Sequence, residues 1–186
     1  MKTIYVFLTK SVTITSKLVH TFTRDRYTHT SIAFDDHLSV LYSSGRKNGV
    51  TPFPAGPCYE GLNKGIFKRS PRIRCAVYAI AVSDEVYERA HAEAKQILEN
   101  ADDYKFNILG MAACYMKKPY HPKNRFFCSQ FVGEILTRSG AVKLSKDPSM
   151  MRPIEYSRLP DLKCVYEGRV CDLLASGLPV ASADDL

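Results

Sequence analysis

The sequence predicts an α+β protein with a largely antiparallel central sheet and helices packed against it. Runs with a two-residue hydrophobic period occur together with segments of helical periodicity. Two of the strand-like runs are separated by a short polar segment, as in a β-hairpin. The regular strand–helix–strand alternation that is typical of a parallel sheet does not occur along the chain.

Strand signals dominate the first part of the chain. Ile4 to Leu8 is β-branched and aromatic on both faces, which predicts a strand inside a sheet. Tyr27 to Phe34 and Leu38 to Ser44 have a two-residue period, and Asp35-Asp36-His37 between them predicts a hairpin. From Gly45 to Ser70 the chain carries many Gly and Pro residues, so we expect an irregular excursion.

Helices are expected mainly in the second part. Ile73 to Val82 predicts a further strand, after which Ser83-Asp84-Glu85 supplies a cap and first-turn acids for a helix. The remaining predicted elements are a short buried helix over Ile108 to Met116, an amphipathic helix over Phe127 to Ser139 that ends at Gly140, and a late strand over Lys163 to Tyr166.

Composition is that of a folded domain: 45% of the residues are hydrophobic and 24% are charged. We expect one domain over residues 1–174 and a mobile tail over 175–186, which has few bulky residues. No apolar run is long enough to span a bilayer. Ile4 to Leu8 is shorter than the roughly 7–15 residues of a secretory signal core, so we expect a cytoplasmic protein with reduced cysteines.

The net charge of +7 by itself selects no partner. Its densest spots are Lys117-Lys118 and the pair Arg72 and Arg74, and neither has the interleaved aromatic residues of a nucleic-acid site. No nucleic-acid partner is therefore expected. The spacing of the Cys and His residues also lacks the pairs that bind zinc, and no phosphate-binding glycine motif occurs, so we expect neither metal nor nucleotide.

Cys128 is the strongest candidate for a nucleophile. It lies where an irregular basic stretch becomes the helix that contains Phe127 and Phe131, and so belongs to the first helical turn. Unpaired backbone amides and the helix dipole stabilise a thiolate there. The alternative is an ordinary buried thiol, which is the commoner state of cysteine.

His29 is the candidate base, because it lies inside a strand where a polar ring needs a hydrogen-bond partner or a function. The other histidines lie in turns, in loops or among charges. A cysteine at a helix start and a histidine on a strand form the arrangement with which papain-like enzymes activate sulfur. The alternative is a structural histidine.

The strings YTHTSIAF, LYSSGR, YKFNILG, FFCSQFVGEIL and LPDLKCVYEGRV follow one another along the chain, and the histidine comes about a hundred residues before the cysteine. In these strings and in this order the chain resembles the circularly permuted branch of the NlpC-type papain-like superfamily, which contains the YiiX-like proteins and, more remotely, lecithin:retinol acyltransferase. The resemblance covers nearly the whole chain. It is closest to small proteins of Gram-positive bacteria.

The resemblance implies a permuted papain-like fold and a cysteine-dependent hydrolase or acyl transferase without a metal or organic cofactor. The substrate would be a small peptide or an acyl-bearing molecule, with an amide, ester or thioester at the reacting carbon. By motif position Cys128 is the nucleophile and His29 the base, and a third polar residue on the following strand orients the imidazole. The choice between a peptide amide and a lipid acyl group stays open.

The orienting residue is predicted by counting along the hairpin. A three-residue loop pairs Phe34 with Leu38 and brings Ser43 opposite His29, whereas a loop longer or shorter by one residue would bring Tyr42 or Ser44 there. Serine stabilises an imidazolium less than a carboxylate does. This weakness leaves a second hypothesis open, a non-catalytic module of the same fold that binds an anionic ligand.

Arg46 and Lys47 lie just beyond the strand that carries Ser43, after Gly45. They are the candidates to contact an anionic part of the substrate, because binding groups often lie on loops beside a site. The alternative is a charged loop that is merely solvated.

Overall fold

A six-stranded sheet forms the centre of the computed structural model, which describes residues 1–10, 25–47, 54–177 and 179–183. The order across this sheet is β4-β3-β2-β1-β5-β8, and every neighbouring pair is antiparallel. The expected α+β class with a largely antiparallel sheet is thus confirmed. The strands are β1 (Lys2–Thr9), β2 (His29–Ala33), β3 (Leu41–Arg46), β4 (Ala55–Glu60), β5 (Arg74–Val82) and β8 (Lys163–Arg169).

The helices lie between and after these strands. They are α1 (Gly65–Arg69), α2 (Asp84–Glu99), α3 (Ile108–Tyr115), α4 (Cys128–Ser139) and α5 (Val170–Ser176), with 3₁₀ turns at Pro148–Met150 and Pro153–Arg158. Two short strands, β6 (Lys105–Phe106) and β7 (Arg125–Phe126), form a separate parallel pair that flanks α3. No helix in the described ranges is long and apolar enough to cross a membrane.

Two apolar clusters hold the fold together, and β1 contributes to both. Ile4, Val6 and Leu8 belong to the cluster that contains the buried faces of α2 and α4. Tyr5 and Phe7 belong to the other cluster, which contains residues of α1 and α5. This division confirms the expected strand inside the sheet, because successive side chains of a strand point to opposite faces.

The boundaries of α2 and α4 follow their capping residues. The Ser83 hydroxyl accepts a hydrogen bond from the Val86 amide at 3.3 Å, as an N-cap does. Gly140 ends α4 with φ of 83°, a left-handed conformation that glycine adopts without strain.

The strand β4 lies in the segment that the sequence predicted to be irregular. It contains Gly56 and Pro57, two residues that are rare in strands. Proline is tolerated here because β4 is an edge strand with a single neighbour, β3, so that a missing amide donor costs little. The expectation of an irregular excursion from Gly45 to Ser70 was therefore wrong for Ala55–Glu60 and for Gly65–Arg69, which forms α1. Residues 48–53 of that range lie outside the described residues.

The register of the hairpin also differs from the predicted one. Ile32 pairs with Tyr42, so counting three residues outward brings Gly45, rather than Ser43, opposite His29. The predicted pairing of Phe34 with Leu38 fails because Leu38 has φ of 50° and its amide donates to the Asp35 carbonyl at 3.1 Å. That turn lengthens the loop, and β3 begins only at Leu41.

The helix α3 is less buried than predicted. Only Gly110 and Cys114 of this helix are buried, whereas 43% of Ile108 and 69% of Leu109 are exposed. Residues four positions apart lie on the same face of a helix. This helix therefore packs on the protein through the small residues Gly110 and Cys114, and its larger apolar side chains face solvent.

The described part of the C-terminal tail lies against the second apolar cluster. Val180 and Ala183 are buried in it, and the Val180 amide donates to the Asp36 carbonyl at 2.9 Å. Residues 178 and 184–186 of the tail lie outside the described residues.

Candidate active site

Cys128 is the first residue of α4, where the chain changes from extended to helical. Phe127 before it is extended, with φ of −98° and ψ of 169°, and no side chain caps the helix at this residue. The amide of Phe131 makes the first helical hydrogen bond, to the Phe127 carbonyl at 2.9 Å. The backbone amides of the first turn thus have no acceptor within the helix, and the Cys128 side chain lies among them.

The start of α4 is held by hydrogen bonds on both sides of Cys128. The Ser44 hydroxyl of β3 donates to the Phe126 carbonyl at 2.8 Å. The Tyr156 hydroxyl donates to the Ser129 carbonyl at 2.6 Å, and Tyr156 is fully buried. Because one bond comes from the sheet and the other from a 3₁₀ turn, the position of the cysteine is set by the tertiary structure.

A buried amide pair ties α4 to α3. The Asn107 side chain caps α3 by accepting from the Gly110 amide at 2.8 Å, and it also donates to Gln130 Oε1 at 3.1 Å. Both amides are 1% exposed. The two helices therefore meet beside Cys128.

His29 is the first residue of β2, and its imidazole lies closer to Glu60 than to the hydroxyls of Ser31 and Ser43. Nε2 lies 2.9 and 3.0 Å from the two carboxylate oxygens of Glu60. The electrostatics of the imidazole are also coupled to the side chain of Cys128, which places the thiol within interaction range of His29. Glu60 therefore fixes the imidazole through Nε2, on the same ring that interacts with the thiol.

Glu60 is the last residue of β4 and is not among the site residues predicted from the sequence. The Ser31 hydroxyl donates to Glu60 Oε2 at 2.6 Å and holds the carboxylate against the imidazole. Glu60 was missed because β4 itself was missed. The available signal was a carboxylate at the end of the short run Cys58-Tyr59-Glu60, after the glycine and proline residues.

The three residues considered as orienters lie at different places. Ser43 Oγ is 3.5 Å from His29 Nε2, but its hydroxyl donates to the Thr30 carbonyl at 2.8 Å. Tyr42 lies 3.0 Å from a nitrogen of His91 on α2, and Ser44 binds the start of α4. Ser43 is thus the one of the three beside the imidazole, and the Glu60 carboxylate is closer to it.

The electrostatics of the pair favour an imidazolium–carboxylate. Burial by itself would lower the pKa of His29, but the charge of Glu60 and the hydrogen bonds with Cys128 and Glu60 hold it well above its ordinary value. Burial would raise the pKa of Glu60, but the charge of His29 and hydrogen bonds from His29 and Ser31 lower it. Each group thus stabilises the charged form of the other.

Two other thiols near Cys128 are held neutral. Burial raises the pKa of Cys58 far above its ordinary range, and that of Cys114 to about 11. The thiol that adjoins an imidazolium is therefore Cys128. Burial, and next the charge of Cys128, also raise the pKa of the Tyr115 phenol, so a neutral hydroxyl donor lies on the α3 side of the site.

Gly45 leaves space beside the imidazole. A Cβ at this position would lie 3.7 Å from His29 Cε1, 3.8 Å from Cys58 Sγ and 3.9 Å from Glu60 Oε1. These are ordinary contact distances, so a larger side chain on this residue would extend over the site. Because Gly45 has no side chain, β3 does not cover the His29 imidazole at this position.

The two cations expected to bind substrate are engaged within the protein. The charge of Arg46 helps to lower the pKa of Glu60, so its guanidinium supports the carboxylate. Lys47 Nζ donates to the Ala101 carbonyl at 3.2 Å and to Asp102 Oδ1 at 3.3 Å. Lys47 is thus directed at the turn after α2.

Comparison with protein-family models gives no match, and comparison with curated proteins gives none either. The interpretation of the site therefore rests on its geometry. A thiol at a helix start, together with an imidazole that is bound by a carboxylate, is the set of groups that activates sulfur for attack on an acyl carbon.

Proposed function

We propose that this protein is a cysteine-dependent hydrolase or acyl transferase on a permuted papain-like fold, acting on an amide, ester or thioester. The observation that carries the proposal is the His29 imidazole, which is hydrogen-bonded to Glu60 and interacts with the side chain of Cys128. These residues come from a helix and two strands far apart in the sequence. Burying charged side chains together costs free energy, because each charged group loses its hydration. Such a cluster therefore favours a functional role.

Each residue has a distinct role in the proposed reaction. The Cys128 thiolate attacks the carbonyl carbon and forms a carbon–sulfur bond, while the π electrons of the C=O bond move to oxygen and give a tetrahedral oxyanion. The backbone N–H of Cys128, at the helix start, donates to that oxyanion. The carbonyl then re-forms as the bond to the leaving amine, alcohol or thiol breaks, the His29 imidazolium protonates the leaving group, and the acyl group stays on Cys128 as a thioester.

Release of the acyl group reverses the proton movement. Neutral His29 takes a proton from water or from another acceptor, which attacks the thioester carbon and expels the Cys128 sulfur. Glu60 stays ionised throughout, keeps Nε2 protonated and stabilises the imidazolium. Ser31 fixes the carboxylate through its hydrogen bond.

The second hypothesis, a non-catalytic module that binds an anionic ligand, has less support. It was motivated by a serine in the place of a stronger orienting group, and Glu60 supplies that stronger group. Of the two cations named for it, Lys47 is paired with Asp102. The enzyme hypothesis therefore accounts for more of the site.

A thiol-selective reagent tests the proposal. Solvent exposure alone predicts that the exposed cysteine reacts before Cys128, whereas activation of the thiol by the imidazole predicts that Cys128 reacts first. Cys128 is 8% exposed, whereas Cys164 is an exposed cysteine. Iodoacetamide at neutral pH should modify Cys128 before Cys164, by about tenfold or more in rate, because the thiolate is the reacting form. Peptide mass spectrometry gives both rates in one sample.

Modification of Cys164 first, or at an equal rate, would contradict the proposal. A second measurement uses an activated ester such as p-nitrophenyl acetate. We expect an acetyl group on the peptide that contains Cys128 and a burst of nitrophenol. Cys128→Ala should abolish both, and Cys164→Ser, the matched control, should leave both unchanged.

A further inference from the structure

The helix α3 presents an apolar face to the outside. Ile108, Leu109, Ala112 and Met116 are all exposed, with fractions of 43% for Ile108, 69% for Leu109 and 64% for Met116. At about 100° of rotation per residue, these four positions fall within an arc of roughly 100°. Few large apolar side chains are exposed elsewhere in the described chain, and four of the seven are in this helix or the loop after it.

The chain around α3 is also strongly basic. From Tyr104 to Gly133 it has five Lys or Arg residues and no Asp or Glu, so this segment accounts for five of the seven net positive charges. All five cations are exposed, and none forms an ion pair with another described residue. They are Lys105, Lys117, Lys118, Lys123 and Arg125.

We propose that this α3 surface, defined by the four apolar residues and these five cations, docks on an anionic phospholipid bilayer. Apolar side chains of a helix that lies in the interface enter the acyl boundary, and surrounding lysines bind lipid phosphates. Tyr120, 42% exposed in the following loop, adds an aromatic ring of the type enriched at this depth.

Charge distinguishes the bilayer from two other occupants. A second copy of the chain on the same face would bring five cations against five, which repel each other. A nucleic acid would match the cations but would leave the apolar residues of α3 against phosphate and water. An anionic bilayer satisfies both the charge and the apolar area.

Docking in this orientation would bring the candidate active site to the interface. Asn107 begins α3 and is hydrogen-bonded to Gln130, two residues after Cys128. This consequence for the site rests on the proposed function, whereas the docking itself does not.

Vesicle co-sedimentation of the full chain tests the proposal. We expect binding to phosphatidylcholine vesicles that contain about a third phosphatidylglycerol, little binding to pure phosphatidylcholine, and release of the bound protein at about 0.5 M salt. Equal binding to both vesicles, or no binding to the anionic vesicles, would overturn the proposal.

Two double variants separate the apolar and the charged contributions. Ile108→Ser with Leu109→Ser, and Lys117→Glu with Lys118→Glu, should each weaken binding to the anionic vesicles by about tenfold or more. The matched controls are Val40→Ser with Tyr59→Ser, and Lys68→Glu with Lys143→Glu, which change exposed residues elsewhere and should bind like the parent.

The outcomes also separate this proposal from the proposed function. The rate at which iodoacetamide modifies Cys128 in solution should be similar, within about threefold, in all four double variants, because the changed residues are exposed and Cys128, His29 and Glu60 are kept. Equal binding by test and control variants overturns docking whatever the reactivity of Cys128. Ultracentrifugation showing a dimer that only the serine variant of α3 abolishes would identify a second copy as the occupant and overturn the bilayer.

Discussion

Two histidine–carboxylate pairs in this protein are built from the same parts. His29 Nε2 lies 2.9 Å from Glu60, and His121 Nε2 lies 2.6 Å from Asp147. In each pair a serine hydroxyl donates to the same carboxylate, at 2.6 Å in the first and 2.7 Å in the second. The local hydrogen-bond chemistry is thus nearly identical.

The surroundings of the two pairs differ. In the first pair the exposed fractions of the side chains are 16% for His29 and 19% for Glu60, and in the second they are 43% for His121 and 33% for Asp147. The first pair adjoins a thiol at a helix start. The second pair joins the loop before β7 to the 3₁₀ turn at Pro148–Met150.

A hydrogen bond between a histidine and a carboxylate does not by itself make a catalytic site. Burial makes each charge of the first pair depend on the other, and the neighbouring thiol gives the imidazole a proton to exchange. An exposed pair is screened by water and contributes mainly to the position of its loop.

The largest expected effect distinguishes the two histidines. His29→Ala should lower both the alkylation rate of Cys128 and its acetylation by p-nitrophenyl acetate about 10²- to 10⁴-fold, because the imidazole that moves the proton is lost. His121→Ala should change either rate by no more than about threefold, since its imidazole serves a loop. Comparable losses in both variants would contradict the distinction.

The carboxylates should differ in the same direction. Glu60→Gln is expected to reduce ester turnover by about 10²-fold or more, since an amide neither stabilises the imidazolium nor maintains its tautomer as the carboxylate does. Asp147→Asn is the matched change in the second pair and should leave turnover near the parent value. Parent-like turnover in Glu60→Gln would show that Glu60 does not support catalysis.

The pH dependence of stability should also separate the pairs. In the folded protein the pKa of His29 lies well above its ordinary value of 6.5. The stability that the ionised imidazole supplies is therefore fully present below pH 6.5 and is lost as the pH rises through the raised pKa. Glu60 acts in the opposite sense: its lowered pKa supplies stability above its ordinary 4.5 that is lost on acidification. Urea unfolding of the parent and of His29→Gln from about pH 6 to pH 10 measures the contribution of the His29 ionisation to stability.

The difference in unfolding free energy between these two proteins should shrink as the pH rises. His121→Gln, the change in the more exposed pair, should give a smaller difference from the parent throughout. A constant difference for His29→Gln over the whole range would mean that its ionisation is not coupled to folding.

The smallest effects concern the serines of the first pair. Ser31→Ala removes a hydrogen bond to a charged group and should reduce stability by about 1.5–3 kcal/mol and turnover several-fold. Ser43→Ala should have a smaller effect on turnover, because its hydroxyl donates to the Thr30 carbonyl and lies 3.5 Å from the imidazole. A larger loss of turnover in Ser43→Ala would restore it as the main orienting residue.

The parts of the site that could be read from the sequence have local signals. Cys128 begins a helix whose apolar stripe and terminal Gly140 are visible as a pattern. His29 is a polar residue in a strand with a two-residue period. Both signals depend on residues a few positions away, which is the range over which helix and strand periodicity acts.

Glu60 had only a weak local signal, a carboxylate at the end of a short run, and its role depends on contacts between distant segments. The proline and glycine residues of β4 argue against a strand in the sequence pattern. Proline is tolerated in β4 because this strand lies at the edge of the sheet. The loop at Leu38 shifts the hairpin register and so determines which residue faces His29. The pairing of β4 with β3 then brings the carboxylate to the imidazole.

The sequence by itself determined the α+β class, the strand inside the sheet and the start of the cysteine helix, because periodicity and capping act over neighbouring residues. Only the tertiary structure decided that Glu60 meets His29 and that α3 leaves its apolar face exposed. Contacts between distant segments depend on strand order, on register and on what each surface packs against, and small changes in loop geometry alter all three.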